Sequence, residues 1–75
     1  MATYLTTIRR IGEKMPVEPI RSTTLAGAKT EATKRWAGVA RANDQILVIE
    51  RTPGIPDHCI AWKGFGAWVK SNFEV

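Results

Sequence analysis

The 75-residue chain carries a single cysteine and a single histidine, and its seven acidic residues are outnumbered by eleven Lys and Arg. With Cys59 alone no internal disulfide can form, and one thiol beside one imidazole falls short of the roughly four ligands of a structural zinc site. A solitary cysteine fits a reducing compartment, and Cys59 is expected to serve as a small, half-buried apolar side chain. His58 directly precedes it. Neighbours on an extended segment point to opposite faces, so the two are badly placed to act as a nucleophile and its base. The carboxylates include no closely spaced pair on a shared face that would divide acid and base work. Gly64-Phe65-Gly66 lacks the G-x-x-x-x-G-K-S/T pattern and does not open a helix, which makes it a hairpin turn and not a phosphate loop. The expectation is a protein with no enzymatic activity, no cofactor and no metal.

Long apolar runs are also missing. Nothing approaches the ~18 residues that cross a bilayer, and Met1-Ala2-Thr3-Tyr4-Leu5 has neither the basic start nor the long apolar stretch of a secretory signal. A cytoplasmic protein, whole as written, is expected. There is no repeat, linker or low-complexity tract, so residues 1–75 read as one domain. At this length about 60 to 65% of the unfolded surface can be hidden, enough for one core but not for a deep substrate cleft. An apolar fraction of 44% with three tryptophans and a charged fraction of 24% describe a folded chain and not a disordered one.

The clearest periodic segment runs from Thr23 to Trp36. Leu25, Ala28, Ala32 and Trp36 step by three, four and four residues and stack on one side of a helix. Thr24 is placed to cap the first turn, with Thr23 as a competing cap, and Gly38 is a candidate stop. Lys29, Glu31, Lys34 and Arg35 fall off the stripe, where Glu31 can reach Lys34 or Arg35. Gly27, at a cost of ~1 kcal/mol relative to Ala, and several threonines weaken the helix on its own. It needs a sheet to lie on.

The rest of the chain supplies one. Thr3 to Ile11 is rich in β-branched and aromatic residues and reads as a first strand, with Tyr4, Thr6, Ile8 and Arg10 on one face and Leu5, Thr7, Arg9 and Ile11 on the other. Val17 to Ser22 is a second extended piece, pushed to a sheet edge by Pro16 and Pro19. Gln45 to Thr52 contains four consecutive aliphatics, which imply burial on both faces or one buried face and one apolar face exposed for use. Pro53 to Asp57 breaks the chain into a loop. His58 to Lys63 and Ala67 to Lys70 follow as a hairpin around Gly64-Phe65-Gly66, with Ile60 and Trp62 on one side, Ala61 and Lys63 on the other, and residues 71–75 as a fraying tail. The fold class is α+β: an antiparallel sheet of four to five strands with a single helix packed on one face, in the order β-β-α-β-β-β. One helix covers one face, so the opposite face is expected to remain in water and to offer the functional surface.

The cationic excess, a net charge of +4, favours approach to anionic surfaces. Two surfaces present themselves. In the last hairpin Trp62, Trp68, Phe65, Lys63 and Lys70 interleave aromatic and basic groups, a pattern able to stack on and neutralise a single nucleic-acid strand. A second surface would combine Lys29, Lys34 and Arg35 of the helix with Arg9 and Arg10 of the first strand, suited to carboxylate or phosphate.

Tyr4-Leu5 in a first strand, Thr24-Leu25-Ala26-Gly27-Ala28-Lys29 opening the helix, Leu47-Val48-Ile49-Glu50-Arg51-Thr52, and Ile60-Ala61-Trp62-Lys63 followed by Gly66-Ala67-Trp68-Val69 together resemble small phage-encoded proteins, in particular type I-F anti-CRISPR proteins built from a curled antiparallel sheet with one helix against it. The resemblance implies a non-enzymatic inhibitor, acting in an infected bacterial cytoplasm, that binds a type I CRISPR surveillance complex and blocks target DNA. Its partners would be subunits of that complex, with possible nucleic-acid contact and no membrane or metal. The basic character argues against mimicry of DNA. By position, Lys29, Lys34, Arg35, Lys63, Lys70, Arg9 and Arg10 are the partner-binding candidates. The alternatives are a small basic nucleic-acid-binding module and a phage inhibitor of another host protein.

Overall fold

The computed structural model describes residues 3–64 and 66–75. Its elements are β1 (Thr3–Arg9), β2 (Glu18–Pro19), α1 (Leu25–Trp36), β3 (Gln45–Arg51), β4 (His58–Lys63) and β5 (Val69–Glu74). The chain is thus α+β with the order β-β-α-β-β-β. The five strands form one antiparallel sheet in the spatial order β2-β1-β3-β4-β5, so β3 is the central strand and α1 carries the chain from β2 across β1 to β3.

The helix forms where its stripe predicts. The Thr24 side chain accepts the Gly27 N–H at 3.2 Å, satisfying one of the orphan donors of the first turn. Ala28, Ala32 and Trp36 are buried against Ile8, Ile46, Val48 and Ala61, with Leu25 half-buried at the margin. Alanine at the two central positions lets the helix axis sit close to the β-branched residues of the sheet. Gly38 is not the left-handed stop. The helix ends in a further turn in which the Val39 and Ala40 N–H groups both donate to the Trp36 carbonyl; the positive-φ glycines are Gly12, Gly54 and Gly66, all outside the helix. Gly27 is not simply a weak spot. A Cβ there would sit 2.0 Å from Ser22 Oγ, the hydroxyl that also accepts the Thr24 N–H, so glycine lets the incoming chain pack over the first turn.

The face opposite the helix differs from expectation. Leu5, Leu47, Ile49 and Cys59 lie on it and are all buried. The cause is curl: the register shifts between Val48 and Ile49 and again between Cys59 and Ala61, and bulges of this kind bend and twist a sheet. The bend brings Phe73 of β5 within reach of the end of β1, a strand β5 does not pair with, so that the Arg9 guanidinium stands 5.5 Å from the centre of the Phe73 ring. The sheet therefore buries this face against itself, and four consecutive aliphatics in β3 mean burial on both sides.

The bulge in β4 corrects two further expectations. Ile60 lies on the helix side with Ala61, packed against the helix-facing core, while Trp62 pairs with Leu47 and Val69 on the other face. The last strand is Val69–Glu74 and not Ala67 to Lys70; residues 71–74 are paired strand and not a tail. Phe65 lies outside the described residues.

Candidate anion-binding groove

A helix that packs chiefly on β1 and β3 leaves the β4 and β5 half of the same face uncovered. A groove of about 630 Å³ runs along α1, lined by Leu25, Ala26, Lys29, Thr30, Thr33, Lys34 and Trp68. It continues past Leu25 and Lys29 into a second recess of about 490 Å³ walled by Glu50, Ile60, Lys70, Ser71 and Asn72. The floor is apolar, from Leu25, Ile60 and the indole of Trp68, and the rims carry ammonium groups. Lys63 joins them from β4, with Nζ 5.7 Å from the centre of the Trp68 ring, a distance at which a cation is attracted to the ring face.

Local structure explains why these side chains meet. Leu25, Lys29 and Thr33 follow one another at i+4 along the flank of the buried stripe, and Ala26, Thr30 and Lys34 do the same one position on. The threonine hydroxyls donate backward to the helix, Thr30 to the Ala26 carbonyl at 3.2 Å and Thr33 to the Lys29 carbonyl at 2.9 Å, so the flank presents methyl groups between the lysines. On the sheet side, β5 alternates Lys70, Asn72 and Glu74 on the helix-facing side with Val69, Ser71 and Phe73 on the other.

Of the seven candidate cations, Lys29, Lys34, Lys63 and Lys70 are brought together here. They come half from the helix and half from the last hairpin, which had been expected to form separate surfaces. The other three are elsewhere. Arg9 is on the far face over Phe73. Arg35 is paired with Glu18 at 2.7 Å and with Glu31 at 3.8 Å.

Arg10 is structural. Its Nη2 is 2.6 Å from Asp44 Oδ2 and 3.1 Å from the Val39 carbonyl, its Nε reaches both Asp44 oxygens, and Nη1 lies 3.3 Å from Glu13. The Asp44 side chain is 3% exposed and also accepts the Arg41 N–H at 2.8 Å. Hydrogen bonds from Arg10, then from the Arg41 backbone, hold the Asp44 carboxyl below its ordinary value, against the opposing effect of desolvation. This knot fastens the end of β1 to the loop after α1. Alternation along the first strand puts Arg10 on the face of Tyr4, Thr6 and Ile8; a partner 34 residues away has no local signal.

Every ion pair among the described residues involves Arg10, Arg35 or Arg51, the last with Asp57 at 2.9 Å. Among the described residues no lysine is in an ion pair, and Glu50 and Glu74 are the two acidic side chains outside these pairs. The net positive charge is thereby concentrated in groups free to meet a ligand.

The thiol and imidazole are held apart. Cys59 Sγ points toward the Ala61 carbonyl at 3.3 Å and Ser71 Oγ at 3.6 Å, and burial raises its pKa. His58 Nδ1 lies 2.6 Å from the Pro56 carbonyl. No group of three His, Cys, Asp or Glu side chains is gathered for a metal among the described residues, and no described helix is long and apolar enough to cross a membrane. Comparison with protein families, with characterised proteins and with solved structures finds no match to this chain.

Proposed function

We propose that the protein is a non-catalytic inhibitor that docks its lysine-rimmed groove on an anionic surface of a host nucleic-acid-handling assembly, a type I CRISPR surveillance complex, and so keeps target DNA from binding. One observation carries the reading. Lys29, Lys34, Lys63 and Lys70, from four separate points in the sequence, gather around one apolar groove beside Trp68, while Arg10 and Arg35 neutralise the protein's own carboxylates. Four of the eight cations outside ion pairs thus stand beside one exposed apolar floor, more than an evenly solvated surface requires. The choice of a surveillance complex rests on the resemblance to phage anti-CRISPR proteins.

The direct test mixes the purified protein with a purified type I-F surveillance complex and a labelled target duplex. Co-elution with the complex, together with weaker duplex binding, is the expected result. A complex that elutes alone and binds its target undiminished overturns the proposal.

The Lys63 and Trp68 pair favours a second reading, direct binding of single-stranded nucleic acid with bases against the indole. In that case affinity for an oligonucleotide falls with salt, with a slope of about −0.7 per phosphate neutralised. Absence of binding to any strand at low salt removes it.

A further inference from the structure

The two edges of the sheet are unlike. At one edge β2 is only Glu18–Pro19, short and closed by a residue with no N–H to donate, the usual protection against strand addition. At the other, β5 runs six residues from Val69 to Glu74 with no proline and with β4 as its sole neighbour. Its outer row of backbone groups is open.

The side chains on that edge complement themselves. In an antiparallel pairing of β5 with a second β5 centred on Asn72, Lys70 stands opposite Glu74 of the second copy, twice by symmetry. Ser71 meets Phe73, and Val69 meets Val75. Directly opposed charges of opposite sign and opposed apolar residues are what stabilise an antiparallel pair. The match also answers two oddities of the single chain. Glu74 is one of two described acidic side chains without an ion-pair partner, and Val69 and Val75 are 43% and 60% exposed. A register centred on Ser71 instead sets Lys70 against Asn72 and leaves Glu74 unmatched.

We propose that β5 is a homodimerisation edge, and that two copies join through it into one continuous ten-stranded sheet with Asn72 on the two-fold axis. An isologous contact of this kind closes after two copies. The axis stands perpendicular to the sheet, which puts both α1 helices on the same side. Each helix covers only its own β1 and β3, so the uncovered β4 and β5 halves become adjacent. The two grooves then form the walls of a single trough, with Lys29, Lys34 and Lys63 of each copy as its unpaired cations and Lys70, now paired with Glu74, in its floor. This inference does not depend on what the trough binds.

Sedimentation of the purified protein as a function of concentration reads the assembly. The expected species has twice the 8.3 kDa chain mass. K70E and E74K, both at exposed positions, each place like charges opposite one another at two sites and are expected to weaken the dimer about tenfold or more, with circular dichroism showing both variants folded. The K70E chain presents acid at both positions and the E74K chain presents base at both, so an equimolar mixture of the two is expected to restore a dimer of wild-type strength. A wild-type chain that stays monomeric up to about 1 mM overturns the proposal. So does a dimer that neither substitution weakens, or a mixture that fails to recover.

Discussion

The Trp36 indole N–H donates to the Thr6 hydroxyl at 3.0 Å, and that hydroxyl donates onward to the Leu47 carbonyl at 2.8 Å. The last turn of the helix is thus keyed to the two central strands through one buried oxygen. Both residues are buried, so breaking the relay leaves a polar group with no access to water.

Removing the acceptor is expected to cost more than removing an ordinary methyl. T6V leaves the indole N–H unsatisfied in the core, at about 1 to 3 kcal/mol, whereas W36F removes donor and ring volume together. The double variant T6V/W36F is expected to be less destabilised than the sum of the two, with a coupling of about 1 kcal/mol. Urea denaturation of the four proteins measures it; strict additivity would show that the hydrogen bond contributes nothing to stability.

The relay also shows what was legible before the fold was known. The stripe from Leu25 to Trp36, the Thr24 cap, the alternation in β1 that puts Thr6 and Ile8 on one shared face and the bounds of His58 to Lys63 all follow from local periods, and the structure has them; which face of β1 the helix covers does not. Ile60 misled because a bulge adds one residue to a period of two, and no residue near it announces the bulge. The buried far face misled for the same reason, since a pattern of apolar positions does not report sheet curvature. For the groove, the four lysines were visible as two pairs on two separate surfaces. Their convergence depends on the helix sitting over β1 and β3 and on the path of β5, which are long-range facts.

Acid should loosen the knot between β1 and the loop after α1. A carboxyl whose folded pKa lies below its unfolded value near 3.9 contributes stability that is fully present above that value and disappears as pH falls through the folded one. Asp44, depressed chiefly by its hydrogen bonds from Arg10, is such a group, and Asp57, depressed chiefly by Arg51, is a second and more exposed one. Thermal melts are therefore expected to show little change from these groups between about pH 7 and 5, and a falling Tm below about pH 4. D44N should melt lower than wild type at neutral pH, with the gap closing in acid. A gap that persists unchanged at low pH would mean that the ionised pair is not what the substitution removes.

Cys59 should be chemically silent. It is fully buried, and desolvation pushes its thiol pKa upward, with the hydrogen bond to Ser71 only partly opposing the rise. Since the thiolate is the reactive form, a thiol reagent at neutral pH is expected to modify the native protein at least about 100-fold more slowly than the protein in denaturant, at a rate set by opening of the sheet. Rapid native-state labelling would contradict the full burial of Cys59 within the sheet.

The position of each lysine should matter more than the total charge. K29E and K34E reverse charges on the groove wall, whereas K14E makes the same change in net charge outside the residues that line it. If the groove is the contact, each wall substitution is expected to weaken binding to the surveillance complex about five- to tenfold at low salt, and K14E by less than about twofold. Where the contacted group is the phosphate backbone of a single strand, each wall variant should also make the salt dependence shallower by about 0.7 in slope; an acidic protein surface gives the loss of affinity without that fixed increment. Titrations at several salt concentrations separate the two. Equal loss in all three variants would assign the interaction to diffuse attraction between a basic protein and an acidic assembly, because only a localised contact distinguishes Lys29 from Lys14.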